Sequence, residues 1–203
     1  MRIIGGLYKG RNLLPPPGAA ITRPITGQVK KSLFGMLGED LSGQNVVDLY
    51  CGTGTLGIEA LSRGACRCCF AESDRRVIER LRRNLVEIGA IDDATIWAGD
   101  VTVKLAGWLT NIAWQIDVAF VDPPYAHSRE WDWSTMVQPL FEPLSQKMSP
   151  EGIVTLRVPS EVEIPPMLGS LAVVRQRRYG GMVLALLQKP GASNEQPAAQ
   201  STA

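Results

Sequence analysis

The stretch that most constrains the fold is residues 46–57, which read VVDLYCGTGTLG. Val46 to Tyr50 is a short apolar run rich in β-branched residues, which predicts a buried strand. Leu56 to Arg63 continues the stretch as a predicted helix. Between strand and helix lies a G-x-G-x-x-G turn, made by Gly52, Gly54 and Gly57. A strand, a glycine-rich turn and a helix form the first half of a nucleotide-binding βαβ unit.

Acids flanking this turn indicate which nucleotide it binds. Glu72 lies 20 residues after Gly52 and suits a ribose-binding acid both in dinucleotide dehydrogenases and in enzymes that use S-adenosylmethionine (SAM). Asp48 favours SAM, because a carboxylate repels the pyrophosphate of a dinucleotide but attracts the ammonium and sulfonium groups of SAM. An acid that only caps the turn is the alternative interpretation of Asp48.

Charge is distributed unevenly along the 203 residues, of which 45% are hydrophobic, enough for one substantial core. Residues 1–38 contain no Asp or Glu, whereas residues 39–203 contain all 20 acidic residues and the other 15 Lys and Arg residues. The six basic residues of the N-terminal segment are Arg2, Lys9, Arg11, Arg23, Lys30 and Lys31. This asymmetry indicates a polyanionic partner for the segment. A cover over a sheet edge is an equally good interpretation, and the two roles are compatible.

Cysteine spacing argues against a disulfide framework or a zinc site. Cys66, Cys68 and Cys69 fall together on or beside a predicted strand, where neighbouring side chains point to opposite faces, and His127 is the only histidine. We therefore expect buried, reduced thiols and no metal. Because no apolar signal segment or membrane-length run is present, we also expect a cytoplasmic protein without a membrane partner.

Strand and helix patterns alternate along the chain. Residues 2–14 predict a hairpin, Val29 to Leu37 a helix with Lys30 and Lys31 outward, and residues 126–136 a loop. Further strands are predicted at 67–72, 95–98, 117–121, 152–158, 171–178 and 182–188, and further helices at 74–88 and near 134–147. This order predicts an α/β fold: a doubly wound, Rossmann-like, mostly parallel sheet with antiparallel edge strands, preceded by a hairpin-and-helix extension. Residues 190–203 lack apolar periodicity, and we expect them to be disordered.

Four acids lie at or near the ends of predicted strands: Asp48, Glu72, Asp100 and Asp122. Ligands bind beyond the carboxyl ends of the strands in such a sheet, so we expect these acids to converge on one crevice. Glu72 would accept hydrogen bonds from ribose hydroxyls and Asp100 one from an adenine amino group, although Gly-Asp is also a common turn.

The tetrapeptide Asp122-Pro123-Pro124-Tyr125 suits an exocyclic amine of a nucleobase. Two consecutive prolines hold the backbone extended and remove two N–H donors, so that the segment presents carbonyl oxygens. The Asp122 carboxylate and the Pro123 carbonyl can accept the two amine hydrogens, while Tyr125 stacks on the ring. Such contacts would orient a poor nucleophile toward a methyl donor. A rigid strand-to-loop turn is the structural alternative.

Several segments in order carry a family resemblance: RIIGG at 2–6, KGR at 9–11, RP at 23–24, VKKSLF at 29–34, DLYCGTGTLGIEALSRG at 48–64, ESD at 72–74 and VDPPY at 121–125. The chain resembles the RsmD-like family of small-subunit (16S) ribosomal RNA guanine-N2 methyltransferases, which are class I SAM-dependent enzymes. The resemblance implies one guanine as target, presented by an assembling 30S particle. It also implies SAM contacts by Asp48, Gly52, Gly54 and Glu72, with Asp122 to Tyr125 at the target base. We add Tyr50 and Asp100 to the predicted cofactor contacts.

On this interpretation residues 1–38 are a basic RNA-docking extension, residues 39–189 the methyltransferase domain and residues 190–203 a tail, and we expect a monomer. Three other functions are left open: adenine-N6 methylation of a nucleic acid, a non-catalytic rRNA-binding assembly factor, and an NAD-linked dehydrogenase. Trp131 and Trp133 either stack on RNA or pack in the core. We interpret His127 as a loop residue, since methyl transfer to an amine needs no metal.

Overall fold

The computed structural model describes residues 1–18 and 25–192. In this part of the chain eight strands form one mixed sheet in the order β3-β2-β1-β4-β5-β8-β7-β6. The strands are β1 (Asn45–Leu49), β2 (Arg67–Glu72), β3 (Ala94–Ala98), β4 (Ile116–Val121), β5 (Met148–Pro159), β6 (Met167–Leu168), β7 (Leu171–Tyr179) and β8 (Met182–Gln188). The first five strands in the sequence pair in parallel, and β8, β7 and β6 continue the sheet in antiparallel pairing. The predicted fold class is therefore confirmed.

Helices occupy both faces of this sheet. They are α1 (Gly27–Leu37), α2 (Thr55–Ser62), α3 (Arg75–Ile88), α4 (Val101–Thr110), α5 (Tyr125–Arg129), α6 (Trp133–Met136) and α7 (Glu142–Lys147). The prediction of a loop over residues 126–136 is wrong in its first part, where α5 lies, whereas α6 and α7 agree with the helix predicted near 134–147. A π-helical turn at Val137–Phe141 separates α6 from α7. Pro139 and Pro143 lack the N–H groups that a continuous α-helix needs there.

Two hydrophobic clusters pack against the two faces of the sheet. One contains Phe34 of α1 and Phe120 of β4, and the other contains Leu105 of α4 and Phe141. Cys68 belongs to the first cluster and Cys69 to the second, as expected for neighbours on a strand. Cys66 precedes β2 and is exposed, so the prediction that the cysteines are buried is wrong at that position.

The N-terminal hairpin packs along the helical layer. Arg2 and Asn12 form an antiparallel bridge, which confirms the hairpin. The Ile4 N–H donates to Glu59 Oε2 of α2 (3.0 Å), and the Leu14 N–H donates to Asn84 Oδ1 of α3 (2.8 Å). The hairpin thus covers α2 and α3. The domain boundary after residue 38 stays a prediction.

Lys30 corrects one sequence expectation. Only 2% of this residue is exposed, because its ammonium group lies 2.8 Å from Glu59 Oε2 and donates to the Arg2 carbonyl oxygen (2.7 Å). Arg63 bonds the other Glu59 oxygen at 3.1 Å. The prediction that Lys30 faces outward is therefore wrong, whereas Lys31 is exposed. Burial lowers the pKa of Lys30, and its bond to Glu59 opposes that shift.

No helix in the described part of the chain combines the length and apolarity needed to cross a bilayer. The expected disordered tail falls mainly on residues 193–203, outside the described residues.

Candidate active site

A cavity of about 810 Å³ opens beyond the carboxyl ends of β1, β2, β4 and β5. Its lining includes all four acids predicted to converge: Asp48, Glu72, Asp100 and Asp122. The predicted positions Tyr50, Gly52, Pro123, Pro124 and Tyr125 line it as well. Residues separated by up to 77 positions are thus brought to one place by the parallel pairing of the strands.

Gly54 is the predicted cofactor contact that the cavity lining does not include. It has φ +85°, and a Cβ at this position would lie 2.5 Å from Leu81 Cδ1 of α3. Its role in the structure is therefore a close approach between the turn and α3. Gly57 similarly packs α2 against β2, because a Cβ there would lie 2.4 Å from Phe70 Cε1.

The turn after β1 carries backbone strain at the cavity. Tyr50 has φ +61° and is the only non-glycine residue with positive φ in the described part of the chain. Such strain costs about 1–3 kcal/mol and is concentrated at functional sites. Gly52 has φ +57°, and a Cβ there would have no neighbour within 4 Å, so its backbone is open to a ligand. Burial, and secondarily the Asp100 carboxylate, raise the pKa of Tyr50.

Asp48 is 1% exposed and accepts a hydrogen bond from the Gly57 N–H at 2.8 Å. It therefore caps the turn, as the alternative interpretation required, and also lines the cavity. Burial raises the pKa of Asp48 to about 8; the Gly57 bond lowers it, and the Asp122 and Glu72 carboxylates raise it further. A cationic ligand would reverse this shift by favouring the carboxylate.

Glu72 and Asp100 each organise backbone beside the cavity. Glu72 Oε2 accepts from the Gly52 N–H (3.1 Å), which ties the glycine turn to the end of β2. Its Oε1 accepts from the N–H groups of Ser73 (2.8 Å) and Asp74 (2.9 Å). Asp100 caps α4, because its Oδ1 accepts from the Thr102 N–H at 2.8 Å. Each carboxylate can accept about four hydrogen bonds, so both keep capacity for a ligand.

Arg157 of β5 is a cavity residue that the sequence analysis missed. Its guanidinium binds Asp122 at two points, Nε to Oδ1 at 2.5 Å and Nη2 to Oδ2 at 2.8 Å. Its Cζ also lies 5.4 Å from the centroid of the Tyr125 ring. Burial alone would lower the pKa of Arg157, but the adjacent Asp122 carboxylate reverses this and raises it. A lone arginine in the apolar run VTLRV was the available signal.

The two tryptophans after α5 have different surroundings. Trp131 lines the cavity, and its ring lies 6.3 Å from that of Tyr50. Trp133 instead donates its indole N–H to the Glu163 carbonyl oxygen (2.8 Å) and packs against Phe141. His127 is exposed and also lines the cavity. In the described part of the chain, no group of three or more His, Cys, Asp or Glu side chains could hold a metal ion.

The predicted RNA-binding residues are spread along the molecule. Arg2, Lys9, Arg11 and Lys31 are exposed, and Arg23 lies outside the described residues. Arg11 donates to the Glu87 carbonyl oxygen near the end of α3, and the Leu7 N–H donates to Ser62 at the end of α2. Since α2 begins at the cavity and spans about 12 Å, the hairpin tip lies at the end of the helices away from the cavity.

A mostly parallel sheet with helices on both faces and a glycine turn beside an acid-lined cavity defines the fold as that of the Rossmann-like methyltransferases. A family model described as "Conserved hypothetical protein 95" matches residues 1–188. The chain belongs to this family, the RsmD-like family.

Three relatives illustrate the similarity. The Bacillus subtilis protein named "Putative rRNA methyltransferase YlbH" is 32% identical over 191 residues, which cover 94% of this chain and 100% of that protein. "Ribosomal RNA small subunit methyltransferase D" of Escherichia coli K12 is 36% identical over 128 residues, covering 62% of this chain and only 60% of that protein. The solved structure of "Putative methyltransferase yhhF from Escherichia coli" is 28% identical, with a TM-score of 0.75 and coverage of 93% and 97%.

Proposed function

We propose that this protein transfers a methyl group from SAM to the exocyclic N2 of a guanine in small-subunit ribosomal RNA. The observation that carries the proposal is that Asp48 and Asp122, from neighbouring parallel strands, line one cavity. One acid suits a cationic methyl donor and the other suits an amine. The names of the relatives in Bacillus subtilis and Escherichia coli supply the rRNA substrate class.

The residues of the cavity fit SAM better than a dinucleotide. Two arginines line the cavity, and each forms an ion pair with an acid: Arg76 with Asp74 at 3.2 Å and Arg157 with Asp122. Because both guanidinium groups are paired with carboxylates, neither is a dedicated partner for a pyrophosphate. Asp48 would bind the ammonium group, Glu72 the ribose hydroxyls and Asp100 the adenine amino group, over the open backbone of Gly52. When bound there, SAM supplies a methyl group made electrophilic by its sulfonium.

The segment from Asp122 to Tyr125 binds and orients the target amine. The Asp122 carboxylate uses one acceptor position on each oxygen for Arg157 and has the remaining positions for amine hydrogens. The Pro123 carbonyl is a second acceptor, and Tyr125 stacks on the base. Two such contacts hold the nitrogen in a fixed orientation, which supplies much of the rate acceleration. A paired guanine cannot reach this depth, so the base enters after leaving its helix.

RNA beyond the target base meets the exposed basic residues. Phosphate contacts are offered by Lys31 on α1 and by Arg2, Lys9 and Arg11 on the hairpin. Because the hairpin tip lies at the far end of α2, these contacts reach about the length of that helix away from the cavity. Lys30 is not part of this surface, since its charge is committed to Glu59.

The test is to incubate the protein with isotopically labelled SAM and unmodified small-subunit particles, followed by nucleoside mass spectrometry. We expect label in N2-methylguanosine, and far slower labelling with the Asp122→Asn variant. Label in N6-methyladenosine would overturn the substrate assignment. SAM binding without label in any nucleoside would favour an assembly factor, and calorimetric binding of NAD without SAM would favour a dehydrogenase.

A further inference from the structure

Arg157 and Asp122 form a bidentate ion pair in the wall of the cavity. The two contacts, at 2.5 and 2.8 Å, involve both carboxylate oxygens and two different guanidinium nitrogens. The side chains are only 8% and 16% exposed. Bidentate pairs of this kind fix the direction of a carboxylate as well as its charge, which a lysine cannot do.

The sheet places the arginine where it can act on Asp122. Val121 of β4 is the register partner of Leu156 of β5. Asp122 and Arg157 come directly after these two residues, so they lie side by side at the same edge of the sheet. Arg157 lies on an interior strand, since β5 pairs with β4 on one side and β8 on the other. Arg157 itself is the register partner of Leu184 of β8, so its backbone is held within the sheet and the guanidinium starts from a fixed point.

The guanidinium also lies against Tyr125, with Cζ 5.4 Å from the ring centroid. One cation thus contacts both the acid and the aromatic ring that, under the proposed function, hold the target base. It also offsets negative charge at a place where a second buried carboxylate, Asp48, lines the same cavity.

We infer that Arg157 is the positioning residue of the target-base pocket: it fixes Asp122 as an acceptor-only carboxylate aimed at the amine and braces Tyr125 for stacking. This inference rests on the proposed function, because it assigns a role to Arg157 through the same site. An amine-bearing base satisfies an acceptor-only carboxylate, whereas a base edge that offers only lone pairs is repelled. Arg157 thereby contributes to the selection of the base as well as to the rate.

A purely structural ion pair between β4 and β5 would predict different variant behaviour. The test is a cycle of four proteins, the wild type, Arg157→Gln, Asp122→Asn and the double variant, measured by single-turnover methyl transfer at saturating SAM and particle. We expect Arg157→Gln to lower the rate about 10²-fold with the Kd for SAM unchanged. In the Asp122→Asn background the same substitution should have a much smaller effect, limited to the contact with Tyr125, because residues that act as a unit are non-additive.

Two further variants separate positioning from folding. Arg157→Lys keeps the positive charge but cannot form the bidentate hydrogen bonds to Asp122. We expect this variant to retain the wild-type Tm and SAM affinity while its rate stays well below that of the wild type. Arg129→Ala is the matched control, since it removes an exposed ion pair to Glu161 (2.7 Å) near the same pocket, and its rate should be unchanged. Additive rate losses in the cycle, or a wild-type rate in Arg157→Gln, would overturn the inference. Failure of the proposed function is distinguishable, because the wild type itself would then methylate no guanine.

Discussion

Asp48 and Asp122 reach the same cavity because the Asp122 N–H donates to the carbonyl oxygen of Leu49, the residue after Asp48, at 3.3 Å. Parallel pairing of β1 with β4 therefore brings the two carboxylates to the same edge of the sheet. The two carboxylates differ in environment. Asp48 is buried with a pKa raised to about 8, whereas Asp122 is paired with Arg157.

The raised pKa of Asp48 predicts pH-dependent binding of SAM. Below pH 8 the acid of the free protein carries a proton, which a cationic ligand displaces, so binding releases a proton. The affinity should therefore rise with pH, by up to about tenfold per unit, reach a maximum near pH 8 and fall above it as the ammonium group of the ligand loses its proton. Calorimetry in buffers of different ionisation enthalpy measures the released proton directly.

Asp48→Asn is the control for this pH dependence. The α-amino group of SAM also titrates near pH 8. In the variant, only this group contributes to the pH dependence of binding. We expect Asp48→Asn to bind SAM more weakly and with a smaller proton release. Equal proton release by the two proteins would show that Asp48 does not contact the cation.

Gly52→Ala and Gly43→Ala are matched variants that test whether the glycine turn after β1 contacts SAM. Both glycines have positive φ, +57° and +78°, and a Cβ at either position would have no neighbour within 4 Å. Alanine should cost each about 1–2 kcal/mol of stability through backbone strain. Only Gly52 lines the cavity, so only Gly52→Ala should weaken SAM binding, by about tenfold or more. Thermal melts and calorimetry test this, and an equal loss of affinity in Gly43→Ala would refute the assignment.

Lys30 and Lys31 are adjacent in sequence but should respond oppositely to substitution. Lys30→Met breaks a buried ion pair, at a cost of about 3 kcal/mol, and should lower Tm by roughly 6–12 °C for a chain of this size. Lys31→Ala should leave Tm within about 1 °C and reduce the salt dependence of RNA binding by about one phosphate contact. A Lys30→Met variant with the parental Tm would contradict the buried cluster seen with Glu59 and Arg63.

The parallel topology explains why most of the cavity was predictable. Short apolar runs with acids at or near their ends located β1, β2 and β4, and the rule that ligands bind at the carboxyl ends of the strands placed Asp48, Glu72 and Asp122 together. Helix α4 was not predicted, because the residue before it, Asp100, was interpreted as a ligand contact and not as the N-cap that it also forms.

Pairings between distant side chains could not be predicted. Lys30 fits the outward face of α1 by periodicity, and only its partner Glu59, 29 residues away, explains its burial. Arg157 is 35 residues from Asp122, and a single sequence contains no signal for that register. Gly54 packs the turn closely against Leu81 of α3, a role that local spacing does not reveal, and its contact with the cofactor stays a prediction.

The most direct test of the role proposed for Asp122 is single-turnover methyl transfer by Asp122→Asn, with SAM binding measured on the same preparation. An asparagine has nearly the same shape but presents one acceptor fewer and a donor in its place. We expect a rate lower by about 10²–10³-fold with a Kd for SAM within about threefold of the wild-type value. Because the variant removes one charge of a largely buried ion pair, its Tm should fall, and the assay is run below the onset of its melt. A wild-type rate of N2-methylguanosine formation in this variant would contradict the assignment of Asp122 to the target amine.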